Sequence, residues 1–224
     1  MVSRKLDTLR ERLADERSKK VAFVSHCVLN ENVRYLGGAF RRGGVDEIID
    51  DLQQQGVGIV QMPCPERCAW GGVLKRWTIP LFGSDAGWLR LLRRPLTTVF
   101  LWHTRVSYGR LARQVVREIE DYVRSGFDVI GVIGIGGSPS CGAFTTLELS
   151  CVLDAVAACN PDTLTRTEYN ARVIEDNVVA GRGLYFDALM RRLEHRHLRI
   201  DCYEHDLVAE MNGEYRGVHL ACVK

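Results

Sequence analysis

The 224-residue chain lacks any apolar stretch near the roughly 20 residues that a membrane-spanning helix needs. Its opening segment, MVSRKLDTLRERLADERSKK, lacks the apolar centre and small-residue cleavage site of a secretory signal. One dominant sign of charge is missing too: 30 basic against 28 acidic residues leave a net +2. Such a balance gives no bulk reason to expect a nucleic-acid polymer or a membrane surface as partner. No internal repeat and no low-complexity tract interrupts the sequence. The expected setting is a soluble protein of the cytoplasm, and 46% hydrophobic content suffices for a sizeable core.

What the chain does have is eight cysteines. A reducing cytoplasm makes structural disulfides an unsuitable explanation. Burial as small hydrophobes suits Cys151 and Cys159, on an expected helix, and Cys202, in an expected strand. Cys222 lies near the terminus without an assigned role. Cys27, Cys64 and Cys141 instead fall in loop signals.

The hydrophobic pattern alternates between strand and helix. Leu6, Leu9 and Leu13 predict an amphipathic helix over 3–18, read as a docking helix added outside the core. Val21 to Ser25 predicts a buried strand ending at His26-Cys27. A helix over about 45–55 closes at Gly56, and a second strand over 57–61 runs into Met62-Pro63-Cys64-Pro65-Glu66. Residues 73–100 read as an insertion, with a short basic helix at 88–94 before Pro95 and a strand at 97–102. A helix over about 106–125 follows. The strand at 128–133 then leads into Gly134-Ile135-Gly136-Gly137-Ser138-Pro139-Ser140-Cys141-Gly142. Helices at about 143–158 and 184–195, a polar loop at 160–183 and a strand near 198–203 complete the pattern. The fold class is α/β: a Rossmann-like, mostly parallel sheet flanked by helices. Residues 1–20 form the N-terminal extension and 21–224 a single domain.

Cys27, Cys64 and Cys141 each lie a few residues past an expected strand end. In an open parallel sheet those ends line the crevice where ligands bind. Three thiols delivered there suit neither disulfide chemistry, for which a Cys-x-x-Cys pair is missing, nor a four-ligand structural zinc. Cys64 and Cys68 have zinc-like spacing without a second pair, which leaves a zinc or thiol enzyme open. A [4Fe–4S] cluster held by three cysteines leaves one iron free to bind a soft donor such as sulfur. The Gly-rich stretch is not a nucleotide loop: Pro139 stands where G-x-G-x-x-G needs its third glycine, and no Gly-Lys-Ser/Thr is present.

SHCVLNENVRY (25–35), CPE followed by Gly71-Gly72, GGSPSCG (136–142), and VVAGRGLYFDALMRRL followed by LRIDCYE together resemble the thiouracil desulfurase family over roughly residues 20–205. The resemblance implies an oxygen-sensitive [4Fe–4S] cluster bound by Cys27, Cys64 and Cys141. It implies desulfuration of a small thiolated substrate such as a thiouracil-like heterocycle, with Glu66 and Ser138 assisting as catalytic residues. A non-catalytic iron–sulfur or sulfur-binding sensor or carrier is the alternative, and a homodimer is left open. The chain departs from the family pattern where Leu74-Lys75-Arg76-Trp77 replaces an expected proline–arginine step, and where Cys68 and Trp70 crowd the same segment.

Other residues have bland and functional readings. Ser138 can cap the turn before Pro139. His26 and His103, each after an expected strand, can be structural or can donate to substrate. Asn30 and Arg34 order the loop after Cys27 or meet substrate. Arg182 faces an anion or is a surface charge.

Overall fold

The computed structural model describes residues 2–84 and 89–214. Helix α1 (Val2–Arg12) precedes strand β1 (Lys20–Ser25), whose last five residues are all buried. A four-residue turn, α2 (His26–Leu29), follows directly. Helix α3 (Asp46–Gln54) buries Ile48 and Leu52, ends before Gly56 at φ +67°, and leads into β2 (Gly58–Met62). Helix α4 (Pro65–Ala69) has proline in its first turn, where a missing N–H costs no hydrogen bond. The 36-residue α5 (Leu89–Arg124) stops before Gly126, and β3 (Asp128–Ile135) is almost wholly buried.

Strand β4 (Thr145–Leu147), α6 (Leu149–Ala158), α7 (Arg166–Tyr169) and β5 (Val178–Ala180) come next. Helix α8 (Leu184–His195), β6 (Cys202–His205) and α9 (Leu207–Met211) complete the order. Four strands form one all-parallel sheet in the order β2-β1-β3-β6, and β4 pairs antiparallel with β5 apart from it. The α/β architecture with a Rossmann-like parallel sheet is therefore what the chain adopts. Phe23 and Val24 of β1, Tyr108 and Ile119 of α5, and Tyr185, Phe186 and Leu189 of α8 are fully buried in one core. Among the described residues no helix is long and apolar enough to cross a membrane.

The sequence reading needs correction in four places. The short helix, the stop at Pro95 and the strand at 97–102 are replaced by one helix, α5, with Pro95 inside it. Thr97, Thr98 and Val99 carry strand propensity, yet here Leu92, Leu96, Val99 and Trp102 lie at helical spacing on an exposed stripe. Thr98 turns its hydroxyl back onto the Arg94 carbonyl at 3.0 Å. His103 consequently sits inside α5, ring-to-ring with Trp77 at 5.6 Å, and does not follow a strand. The expected helix over 143–158 begins only at Leu149, because β4 pairs with β5 first and Glu148 caps the helix by accepting from the Cys151 amide. The loop at 160–183 contains α7 and β5, and the last strand lies at 202–205.

Cys159 is buried as expected and Cys202 lies half-buried, 3.5 Å from Met190 Sδ. Cys151 is exposed, its thiol donating to Glu148 at 2.8 Å, and so is not a core residue. Cys222 lies outside the described residues. Leu6 and Leu9 of α1 and Leu13 just beyond it are 49%, 52% and 70% exposed, so the leucine stripe adds little to the core. Deleting residues 1–17 is therefore expected to leave the thermal midpoint within about 2 °C of the full chain, as read by circular dichroism.

Candidate functional site

The sheet register brings the site together. Ser25 pairs with Met62 and Val24 with Ile133, so β1, β2 and β3 end nearly level. Cys27 and Cys64 stand two residues beyond the paired ends, and Cys141 follows β3 through the Gly-rich turn. All three line one cavity of about 50 Å³ with Glu66 and Ser138. Its remaining wall is largely apolar, including Val33, Ile135, Leu147, Ile174 and Leu207. The five residues singled out from the sequence therefore meet in space.

Each thiol has its own environment. Cys27 sits in α2, and its carbonyl accepts from Arg34 Nε at 3.2 Å. Cys64 caps α4, its sulfur accepting from the Arg67 amide at 3.4 Å. Cys27 and Cys141 share the cavity wall; interaction with the Cys141 side chain draws Cys27 below the usual thiol range despite burial. The same interaction, together with burial, pushes Cys141 well above it. Burial, then the negative charges of Glu66 and Cys27, push Cys64 up to about 12. Cys68, by contrast, is exposed and absent from the cavity wall. Among the described residues no three His, Cys, Asp or Glu side chains are grouped closely enough to hold a metal ion, neither around Cys64 and Cys68 nor around Cys27, Cys64 and Cys141.

Glu66 is held from two sides. Its Oε1 accepts from the Ser140 hydroxyl at 2.6 Å, and its Oε2 lies 3.4 Å from Lys75 Nζ. Lys75 is buried, has a left-handed backbone at φ 49°, and also donates to the Val33 carbonyl at 2.7 Å. Ser138 caps its own turn, its Oγ accepting from the Cys141 amide at 3.1 Å and the Ser140 amide at 3.3 Å. Of the two serines in SPSCG, Ser140 is thus the one that touches the carboxylate. Sequence reasoning missed Ser140, and it noticed Lys75 only as a departure from the family pattern. The buried Tyr108 hydroxyl lies among the neighbours of Ser140.

The Cys141 loop is clasped by later parts of the chain. The first amides of α8, which have no partner inside the helix, donate instead to this loop: Leu184 to Pro139, Tyr185 and Phe186 to Ser140. The approach is close enough to require glycine, since a Cβ on Gly183 would stand 2.5 Å from the Ser140 carbonyl carbon, and one on Gly142 2.0 Å from the Thr145 oxygen. Glu204 holds the far side. Its Oε2 accepts from the amides of Ala143, Phe144 and Thr145 at 2.7, 2.6 and 3.0 Å, and its Oε1 from the Thr145 hydroxyl at 2.7 Å.

The loop after Cys27 rests on a buried ionic network. Arg34 lies 3.1 Å from Glu31 and 2.8 Å from Glu210, and His205 is 2.9 Å from Glu210. Arg34 is thus a structural cation. Burial raises the Glu210 carboxyl, but the hydrogen bond with His205 and the charge of Arg34 outweigh it and hold the group at about 2. Burial also raises Glu31, against the pull of Arg34. His26 is pushed down by burial and then by Arg67, and its Nδ1 has no partner among the described residues. Asn30 orders its own turn by accepting from the Asn32 amide at 3.1 Å. Arg182 lies 3.8 Å from Glu194, a surface pair away from the cavity.

Two outcomes follow from these contacts. Glu204→Gln places an N–H among donors, so it is expected to destabilise the fold by about 1–3 kcal/mol in urea titrations, with faster amide exchange at 143–145. The depressed Glu210 carboxyl contributes stability that is complete above its ordinary value of 4.5 and is lost as pH falls from there towards 2. Acid titration of unfolding should show that loss, and Glu210→Gln should flatten it.

Among curated proteins, the chain is similar to one of Methanocaldococcus jannaschii named "Uncharacterized protein MJ0003". The two are 38% identical over 128 residues, which cover 57% of this chain and 70% of the relative. No family model matches the chain. No solved structure matches it. With that identity over most of the relative's length, the chain belongs to the same family as the M. jannaschii protein MJ0003.

Proposed function

We propose that the protein is a cluster-dependent desulfidase that removes sulfur from a small thiolated heterocycle in the cytoplasm. This reading is supported above all by the meeting of Cys27, Cys64 and Cys141 with Glu66 in one cavity at the carboxyl end of a parallel sheet. The residues suit a [4Fe–4S] group by their chemistry: three soft thiol donors, an otherwise apolar wall and a supporting second layer at Arg34, Ser138 and Glu204. Cys27, Cys64 and Cys141 would hold it. When bound, such a group supplies a metal position able to take a soft sulfur atom. The seven described cysteines are all free, which agrees with a reducing compartment.

The net change is replacement of a thiocarbonyl sulfur by the oxygen of water, releasing hydrogen sulfide. It leaves the carbon at the same oxidation level and calls for no external electrons. The chain's own part is acid–base work and exclusion of water. Glu66, steadied by Ser140 and Lys75, takes a proton from attacking water at a carboxylate oxygen and returns one to the departing sulfur. Lys75 Nζ stands 3.4 Å from that carboxylate and fixes its position. The apolar wall at Val33, Ile135 and Ile174 keeps other water out.

The presence of two free thiols, Cys27 and Cys141, in one cavity wall favours a second reading, a sulfur carrier that holds a persulfide without catalysis. Iron and sulfide analysis of protein purified without oxygen separates the two. The desulfidase reading expects about four irons per chain. Cys27→Ala, Cys64→Ala and Cys141→Ala should each lose the cluster, and Cys151→Ala should keep it. Glu66→Gln should keep the iron yet release sulfide from 2-thiouracil at least about a hundredfold more slowly. Iron-free protein whose cysteines carry extra sulfur by mass spectrometry would replace the proposal with the carrier.

A further inference from the structure

A second cavity of about 80 Å³ adjoins the thiol-lined one. Tyr35, Glu66, Pro139, Leu147 and Ile174 belong to the walls of both. Beyond them the second chamber is built from aromatic and branched side chains. Phe82 and Tyr169 stack at 6.0 Å, Tyr35 and Tyr169 lie 5.7 Å apart, and Leu149, Val152 and Leu153 of α6 form the opposite side.

The polar groups of this chamber are largely spoken for. Lys75 is engaged with Glu66 and the Val33 carbonyl. The Tyr35 hydroxyl donates to Asn170 at 3.2 Å, and the Thr78 hydroxyl to the Lys75 carbonyl at 2.8 Å. Arg34, the other cation among the described residues of the two walls, is committed to Glu31 and Glu210. A phosphate entering here would be stripped of water and meet no free cation, which is strongly unfavourable. An apolar group would exchange water for close packing.

We infer that the second chamber is a specificity pocket for an uncharged planar ring bearing an apolar substituent, and that it rejects nucleotides. The ring lies at the shared wall beside Glu66, and the substituent extends towards Val152 and Phe82. The direction of the sulfur towards the cysteines rests on the proposed desulfidase reading; the preference of the chamber does not.

Isothermal titration of metal-free protein with 6-propyluracil, uracil and uridine 5′-monophosphate tests the chamber without any sulfur chemistry. Burial of three extra carbons is expected to make 6-propyluracil bind at least about tenfold more tightly than uracil. The nucleotide is expected to show no binding. Trp70 lines the chamber and provides a second readout through its fluorescence. Val152→Phe narrows the space at a half-buried position. It should abolish the propyl advantage while retaining the parent thermal midpoint. Val152→Ala, which widens the space, should keep the advantage.

Equal affinity for uracil and 6-propyluracil, or tighter binding of the nucleotide, would overturn the inference. On protein prepared without oxygen, 6-propyl-2-thiouracil should have a KM at least about tenfold below that of 2-thiouracil. Retained propyl preference with no sulfide release from either thione would strike the desulfidase reading alone. Sulfide release from 2-thiouracil without a propyl preference in binding would strike the chamber alone.

Discussion

Parallel pairing of β1 with both β2 and β3 is the constraint on which the site depends. Because β1 lies between its partners, the ends of three strands are levelled by backbone hydrogen bonds, not by the side chains that follow. Thiols 37 and 77 residues apart in sequence (27 to 64, 64 to 141) then open onto one cavity. A one-residue slip of either pairing would redirect every side chain of that strand to the opposite face. The nearly continuous burial of β1 and β3 makes such a slip costly, so packing of the core protects the geometry of the site.

Around this frame, charge is placed where it stabilises backbone. Glu204 gathers three amides and a hydroxyl beneath the loop that carries Cys141, and Arg34 reaches the carbonyl of Cys27 while bound to Glu31 and Glu210. Neither residue needs to touch a ligand to matter. Removal of one member from a buried ionic set leaves the others unpaired, which is far more destabilising than the set is stabilising. The cavity itself can therefore remain apolar, with Glu66 and Lys75 as its paired charges.

The parallel sheet and three of its strands were legible because β1, β2 and β3 are short apolar runs closed by glycine, proline or cysteine. The cysteines were legible as a group because they lie just beyond those runs. Residues 89–102 were misread since β-branched residues and Pro95 argue locally for a break, while burial of Thr104, Tyr108 and Ala112 further along draws the whole segment into one helix. Ser140 could have been found from its position next to Cys141, but spacing alone does not tell which serine of SPSCG faces a carboxylate 74 residues away. Lys75 and Glu204 carried weaker signals. A lysine at positive φ and a glutamate within a strand end look ordinary until their partners are in place.

The clasp on the Cys141 loop also bears on how the protein is made. Gly183, the start of α8 and Glu204 leave the ribosome well after Cys27 and Cys64. A nascent chain that has just exposed Cys141 has the thiol but nothing to fix it. Completion of the site thus waits until synthesis has passed residue 204, as domains tend to fold as units during translation. Truncated translation products would carry unsecured thiols and no finished cavity.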